Sequence, residues 1–408
     1  MTDGLLTVES IPGYLATNPQ LSARVDASGI RSVIEVGDGN LNLVFIVKDD
    51  RGRGIVLKQA LPYVRMVGPG WPLSPERARH EAHALKLHGK LAPHLVPVVY
   101  SFDPDRYILA MEDLSDHRVW RGALNEGQRH EGVASRMGEY VAAVAFGTSI
   151  LSVDPQEQKA IAASSINSEL CAITEELVFT EPYADIGRNS VLRANEADAR
   201  ELATDAVTVR AMGQAKWIFT TVGEALIHAD LHTGSVMVRS EFDGDPQVNS
   251  VKAFDCEFSF YGPVAFDLGA LWANYTLAAA RATALGDEDR ADWCLSLCSQ
   301  TWESFENSIR IAWPDRRDAR VFTDGFGEDL LSRWRRETWL FAAAEMARRI
   351  VGLAKAPDIE TLPADLRVGA ARGVLHAVRA AVRVGKDTDS PDAFMSMAAE
   401  CLRTAATR

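Results

Sequence analysis

The 408-residue chain is short of several things, and each shortage closes off a class of function. It has five cysteines, Cys171, Cys256, Cys294, Cys298 and Cys401, with no C-x-x-C pair among them, so neither a zinc cage nor a disulfide framework is expected. Reduced thiols in a cytoplasmic setting fit that usage. Cys294 and Cys298 stand four apart beside Trp293 and Leu297, which reads as one apolar helix face. The net charge of −13 leaves no surplus of Lys and Arg to displace counterions from a nucleic-acid backbone, so no such partner is expected. No run approaches the roughly 18 apolar residues that span a bilayer, so no membrane partner is expected either. The first twenty residues lack a basic start and an apolar core, so no signal peptide is expected. A Walker A sequence is missing, which excludes a P-loop kinase. His228 and His232 stand four apart but without a Glu after the first His, and His80-Glu81-Ala82-His83 has the wrong spacing, so the zinc-protease pattern fails. Structural hydrogen bonding is the expected role of His228 and His232. There is no internal repeat, low-complexity tract or heptad pattern.

What is present is an ordinary globular composition, 47% hydrophobic and 24% charged, on a chain long enough for two lobes. Runs rich in β-formers at Val33–Val36, Val44–Val47 and Ile55–Lys58 surround Gly37-Asp38-Gly39 and the turn-forming DDRGRG, and predict a meander of three antiparallel strands. From Ser74, SPERARHEAHALKLHGKLA has a serine able to cap a helix and Pro75 at its first position. Short strands are expected at Val96–Ser101 and Tyr107–Met111, followed by the polar break Glu112-Asp113-Leu114-Ser115-Asp116, which reads as a hinge. Beyond it helical patterns dominate, except at 226–260, where LIHADLHTGSVMV and VKAFDCEFSFYG look like strand, loop and strand. The expected fold is therefore α/β (α+β) and two-lobed: residues 1–113 form a small lobe of antiparallel sheet plus a helix, and residues 114–408 a large helical lobe.

The chemistry is concentrated in His228-Ala229-Asp230-Leu231-His232, about 25 residues before Asp255-Cys256-Glu257. Phosphoryl transfer needs one carboxylate to orient the attacking hydroxyl and others to hold the metal ion that neutralises the phosphates. Both sets stand here in the order in which kinases carry them. Upstream, Lys58 ends a strand after a glycine-containing hairpin, which suits a lysine reaching the α- and β-phosphates, and Glu81 on the next helix would hold its ammonium. Each piece alone has a bland reading: a tight turn at Gly37–Asn42, a solvated lysine, a chance pairing of acids. It is their order, with a hinge between lysine and loop, that points to a kinase.

These stretches resemble the 5-methylthioribose kinases, which have the protein-kinase-like fold and are related to aminoglycoside and choline kinases. The resemblance is carried by GDGNLNLVF (37–45), IVLKQALPYVR (55–65), GWPLSPERAR (70–79), MEDLSDH (111–117), IHADLHTGSVMV (227–238), DCEFSFYGPVAFDLGALWANY (255–275) and AEMARRIVGLA (344–354). It implies that Asn42 and Lys58 contact the phosphates of ATP and that the backbone of Glu112, Asp113 and Leu114 receives the adenine edge. Asp255 and Glu257, with Cys256 between them at the nucleotide, would hold Mg²⁺. Asp230 would orient the sugar's anomeric hydroxyl and take its proton, and Arg348 and Arg349 would reach the sugar. The loop around Trp71 would close over the nucleotide or anchor itself in the core. The implied product is the 1-phosphate of methylthioribose in methionine salvage, and the implied assembly a homodimer. Three positions depart from the family pattern: Ala229 replaces the usual glycine, Cys256 the usual proline and Gly70 the usual serine.

Adjacent arginines cannot both lie on one apolar helix face, so at least one of Arg348 and Arg349 should meet solvent or a ligand, and a forked guanidinium suits sugar hydroxyls. Two rivals stand beside this reading. The same fold would serve another acceptor, such as 5-deoxyribose or another pentose, an aminoglycoside or another antibiotic. A catalytically silent pseudokinase would bind without turnover, but Lys58, Asp230, Asp255 and Glu257 are all present. An aminoglycoside is polycationic, so paired arginines at the acceptor site point away from it.

Overall fold

In a computed structural model the chain is described at residues 4–37, 41–65, 67–184, 186–242 and 244–406. Asp38, Gly39 and Asn40 of the expected glycine turn lie outside the described residues. Two short helices, α1 (Ile11–Ala16) and α2 (Pro19–Ser22), precede strands β1 (Ile30–Glu35), β2 (Asn42–Asp49) and β3 (Gly54–Ala60). Helix α3 (Arg77–Leu91) follows, then β4 (Val99–Asp103) and β5 (Ile108–Glu112). The five strands form one antiparallel sheet in the order β1-β2-β3-β5-β4.

Side-chain alternation sets what each face of this sheet does. Phe45, Val47, Ile55, Leu57, Ile108 and Ala110 point to one side and bury Ile11, Leu15 and Leu21 of the N-terminal helices, which the sequence patterns did not announce. Lys58 pairs with Leu109 in the β3–β5 register, and Leu109 belongs to the core shared with α3 and the large lobe. Lys58 therefore faces the cleft.

Two expected boundaries shift. The helix begins at Arg77 rather than at Pro75, because the Pro75 carbonyl takes the Ala78 amide in a tighter turn (3.0 Å) and Ser74 Oγ caps only the Glu76 amide (3.3 Å). The strand expected from Val96 starts at Val99, after Pro97, which has no N–H to give a ladder.

The large lobe opens with β6 (Arg118–Val119), α4 (Trp120–Asn125), α5 (Val133–Thr148), α6 (Pro155–Ser164), α7 (Ser168–Phe179), α8 (Glu196–Thr204) and α9 (Ala206–Thr221). Strands β7 (Ala225–Ile227), β8 (Val236–Ser240), β9 (Val248–Ala253) and β10 (Phe260–Gly262) occupy the region expected as strand, loop and strand. β7 pairs with β10, and β8 lies between β6 and β9. Both chemically charged loops, 228–232 and 254–259, emerge from these small sheets.

Five helices close the lobe: α10 (Ala265–Ala284), α11 (Glu288–Ala312), α12 (Asp324–Ile350), α14 (Ala364–Val384) and α15 (Pro391–Ala406), with the single turn α13 (Pro357–Glu360) before α14. Every residue of α10 except Arg281 and Ala284 is buried, so this helix is the lobe's axis. Cys294 and Cys298 of α11 are both buried, as their spacing suggested. A Cβ at Gly269 would sit 2.5 Å from Phe341 Cβ and 2.8 Å from the Ala342 amide, so the glycine is what lets α12 lie against α10. That contact fixes the helix whose last turn carries Arg348 and Arg349. No helix of the described residues is long and apolar enough to cross a membrane.

Candidate active site

Lys58 projects from β3 into a group of three acids. Its ammonium lies 2.8 Å from Glu81 of α3 and also pairs with Asp255. Burial works against that charge, but Asp255, Glu81 and Glu257 outweigh it and hold the lysine's pKa well above its usual value. The same burial pushes Glu81 up to about 7 and raises Glu257. Glu81, Asp255 and Glu257 each offer an oxygen, and these ligand atoms lie within 4.8 Å of one another. All-oxygen donors on a site where acids outnumber nearby cations suit a hard divalent cation such as Mg²⁺. Asn42, at the start of β2, donates from Nδ2 to Glu257 Oε2 at 3.0 Å, and Arg77 Nε lies 3.3 Å from the same oxygen.

Asp230 forms a second centre on the loop after β7. The loop's shape depends on Asp267 of α10, whose two carboxylate oxygens accept the backbone amides of His228 and Ala229, both at 2.8 Å. Ala229 is held at φ +65°, a left-handed conformation that glycine adopts without penalty, which accounts for glycine being usual there. His228 bridges the two loops: Nε2 donates to the Phe254 carbonyl at 2.9 Å, leaving Nδ1 to accept the Asp230 amide at 3.3 Å. Asp255, next along, also has a positive φ of +66°. The Asp230 loop and the Asp255–Glu257 loop are thus tied by one imidazole, and His228 and His232 serve in hydrogen bonding.

Arg348 Nη2 reaches Asp230 Oδ1 at 3.4 Å, while its Nε donates to Glu345 Oε2 at 2.7 Å. Burial opposes its charge, but Glu345 and Asp230 raise its pKa. Arg349, the second of the pair, is buried too, and its Nη1 donates to the Ala354 carbonyl at 3.5 Å rather than to Asp230. Burial, followed by the charges of Arg348 and Arg121, lowers its pKa to about 9. His232 Nε2 lies 3.4 Å from Asp230 Oδ2, and burial together with Arg121, Arg349 and Arg348 keeps the ring neutral, its pKa well below 6.5.

The remaining expected positions sit around these two centres. Glu112 ends β5, and Asp113 and Leu114 follow it directly; the Glu112 amide donates to the Val98 carbonyl at 2.9 Å, and Asp113 packs against Gly54, where a Cβ would collide with it. Cys256 is fully buried, with its thiol 4.0 Å from the Glu81 carbonyl. Trp71 packs partly buried against Val64, Leu73 and Leu170 of α7, with the Arg188 guanidinium 5.7 Å above its ring, so the loop spans the two lobes.

Three structural contributors, Arg77, Glu345 and Asp267, escaped the sequence reading. Arg77 and Glu81 are one helical turn apart, a spacing that would have placed them together on the cleft face. Glu345 stands three residues before Arg348 on α12, and Asp267 is a lone acid in the apolar run of α10.

The chain is similar to several known proteins. The phosphotransferase enzyme family profile matches residues 32–306. A methylthioribose kinase of Cronobacter sakazakii is 38% identical over 372 residues, spanning 90% of this chain and 91% of its own, and one of Citrobacter koseri is 36% identical over 378 residues, spanning 91% and 93%. Among solved structures, a choline/ethanolamine kinase family protein of Mesorhizobium loti is similar at 14% identity and a TM-score of 0.43, over 97% of this chain and 99% of that one. Sharing the family profile and this degree of identity over nearly its whole length, the chain belongs to the phosphotransferase enzyme family and to the methylthioribose kinases.

Proposed function

We propose that the protein transfers the γ-phosphoryl group of ATP to the 1-hydroxyl of 5-methylthioribose, giving the 1-phosphate used in methionine salvage. The observation that carries this reading is the link through His228, which joins the Asp230 loop to the loop of Asp255 and Glu257, with Arg348 on Asp230. In this reading Asn42 and Lys58 bind the phosphates, and the backbone from Glu112 to Leu114 meets the adenine. Since the Glu112 amide is engaged by Val98, the edge would be read by the Glu112 carbonyl and the Leu114 amide.

Asp230 orients the acceptor hydroxyl and takes its proton, which costs the site little reorganisation because both of its oxygens already lie near fixed donors. Arg348 offers one face of its guanidinium to the sugar while Glu345 holds its other edge, and Arg349 supplies charge from behind. Asp255 and Glu257 would hold Mg²⁺, which when bound offsets charge on the phosphates. The lobes 1–113 and 114–408 move as units about the stretch after Glu112, and the protein works in the cytoplasm as a homodimer.

The reading is tested by supplying Mg²⁺ and ATP with methylthioribose, 5-deoxyribose and an aminoglycoside in parallel, and assigning the phosphate position by ³¹P NMR. A 1-phosphate formed with the highest kcat/KM on methylthioribose is expected. Preference for the cationic antibiotic overturns the substrate, and ATP left intact with every acceptor overturns the enzyme.

A further inference from the structure

Arg77 is 2% exposed, yet the chemistry described above assigns it no role. Its guanidinium serves three separate segments. Nη1 donates to the carbonyls of Leu61 and Ser74, both at 2.9 Å, which belong to the connection between β3 and α3. Nη2 donates to the Leu41 carbonyl at 2.7 Å and to Asn42 Oδ1 at 3.1 Å, where the chain enters β2. Nε lies 3.3 Å from Glu257 Oε2, in the large lobe. Because Asn42 accepts from Arg77 through Oδ1, its Nδ2 is turned onto that same Glu257 oxygen. The carboxylate is therefore held through one oxygen by the Asn42 amide and by the ion pair with Arg77, and both partners belong to the small lobe.

We propose that Arg77 is a positioning residue that couples the Leu41–Asn42 segment to the carboxylate of Glu257, so that the placement of Asn42 and the affinity for the divalent cation are set together. The inference rests on the reading of Glu257 as a metal ligand. Only a planar fork reaches these acceptors at once; a lysine ammonium keeps the charge and loses the geometry. Partners that orient a metal ligand from behind change metal affinity by about 10- to 100-fold when removed.

The test measures Mn²⁺ binding by electron paramagnetic resonance on the full chain saturated with a non-hydrolysable ATP analogue, for the unsubstituted protein, Arg77→Lys and Glu257→Gln, with circular dichroism melts beside each. Mn²⁺ affinity about tenfold weaker or more in Arg77→Lys is expected. If Arg77→Lys melts lower but binds Mn²⁺ as the unsubstituted protein does, while Glu257→Gln binds weakly, the coupling is refuted and the metal reading stands. If Glu257→Gln also binds normally, the metal reading itself has failed, and the coupling with it. Tighter binding in Arg77→Lys makes the arginine a competitor and refutes the coupling as well. Should Arg77→Lys not fold, Asn42→Ser removes the side chain between Nη2 and Glu257. A smaller weakening in the same direction supports the coupling, and unchanged affinity overturns it.

Discussion

The acids around Lys58 and the Asp230 loop both place carboxylates against cations, but they are assembled in opposite ways. Around Lys58 the parts come from β2, β3, α3 and the 254–259 loop, so the cluster exists only while the two lobes meet. Around Asp230 every part belongs to the large lobe: the loop after β7, Asp267 of α10, and Glu345, Arg348 and Arg349 of α12. Acids outnumber cations in the first, which leaves room for a divalent ion. In the second, arginines crowd a neutral histidine, which suits an uncharged acceptor about to gain a phosphate. On the proposed reading, the centre that admits and releases a nucleotide is divided between the lobes, whereas the centre that aims one oxygen is built on elements of a single lobe.

The largest effect is expected at the aiming group. Asp230→Asn should leave ATP binding by calorimetry unchanged and lower kcat by about 10²–10⁴-fold; near-normal turnover would take Asp230 out of the chemistry.

The two centres should also separate kinetically. Lys58→Met strands the buried Glu81 without its cation, and breaking such a buried pair costs about 3–5 kcal/mol of folding stability, read by denaturant titration, along with a higher KM for ATP. Arg348→Met should instead raise the KM for the sugar and leave that for ATP in place. If both substitutions raise the same KM, the division between the centres is wrong.

Acidity reaches both centres, through Glu81 in one and Asp267 in the other, and a substitution at Asp267 isolates the acceptor loop. Burial lifts the Asp267 pKa to about 6, offset in part by His228 and by the two amides it accepts. The folded chain therefore binds more protons than the unfolded chain between about pH 4 and 6, so this group's contribution to stability falls as pH rises through that window and is flat above it. Turnover runs the other way. Below about pH 6 the protonated acid is a poorer acceptor for the His228 and Ala229 amides, and kcat should decline on an acid limb there. A pH profile of kcat for Asp267→Asn should lose that limb; an unchanged limb assigns it to another group.

The smallest effect is at Ala229. Replacing it with glycine relieves the left-handed backbone and should stabilise the fold by up to about 1 kcal/mol with turnover intact. A loss of stability would mean that the buried methyl contributes more than the strain costs.

Much of this was legible without coordinates because it depends on local pattern. Period-two alternation in β3 puts Lys58 and Leu57 on opposite faces, and the β-rich runs, turn residues and helical stretches account for five strands, a helix and a helical lobe in the order found. The lysine, the aspartate loop and the acid pair could be picked out by residue type and spacing. Helix starts were harder, because Ser74 and Pro75 satisfy the same local preferences whether they begin the α-helix or the tighter turn before it.

The sequence alone determined which residue types could hold phosphate, metal and acceptor, and in what order along the chain they occur, since composition and periodicity are properties of neighbours. Only the tertiary structure decided which of them meet. Asn42 and Glu257 are 215 residues apart in sequence yet share a hydrogen bond, and Arg348 rather than Arg349 reaches Asp230. Adjacent residues on a helix point about 100° apart, so the packing of α12 on α10 through Gly269 selects the arginine that faces the site.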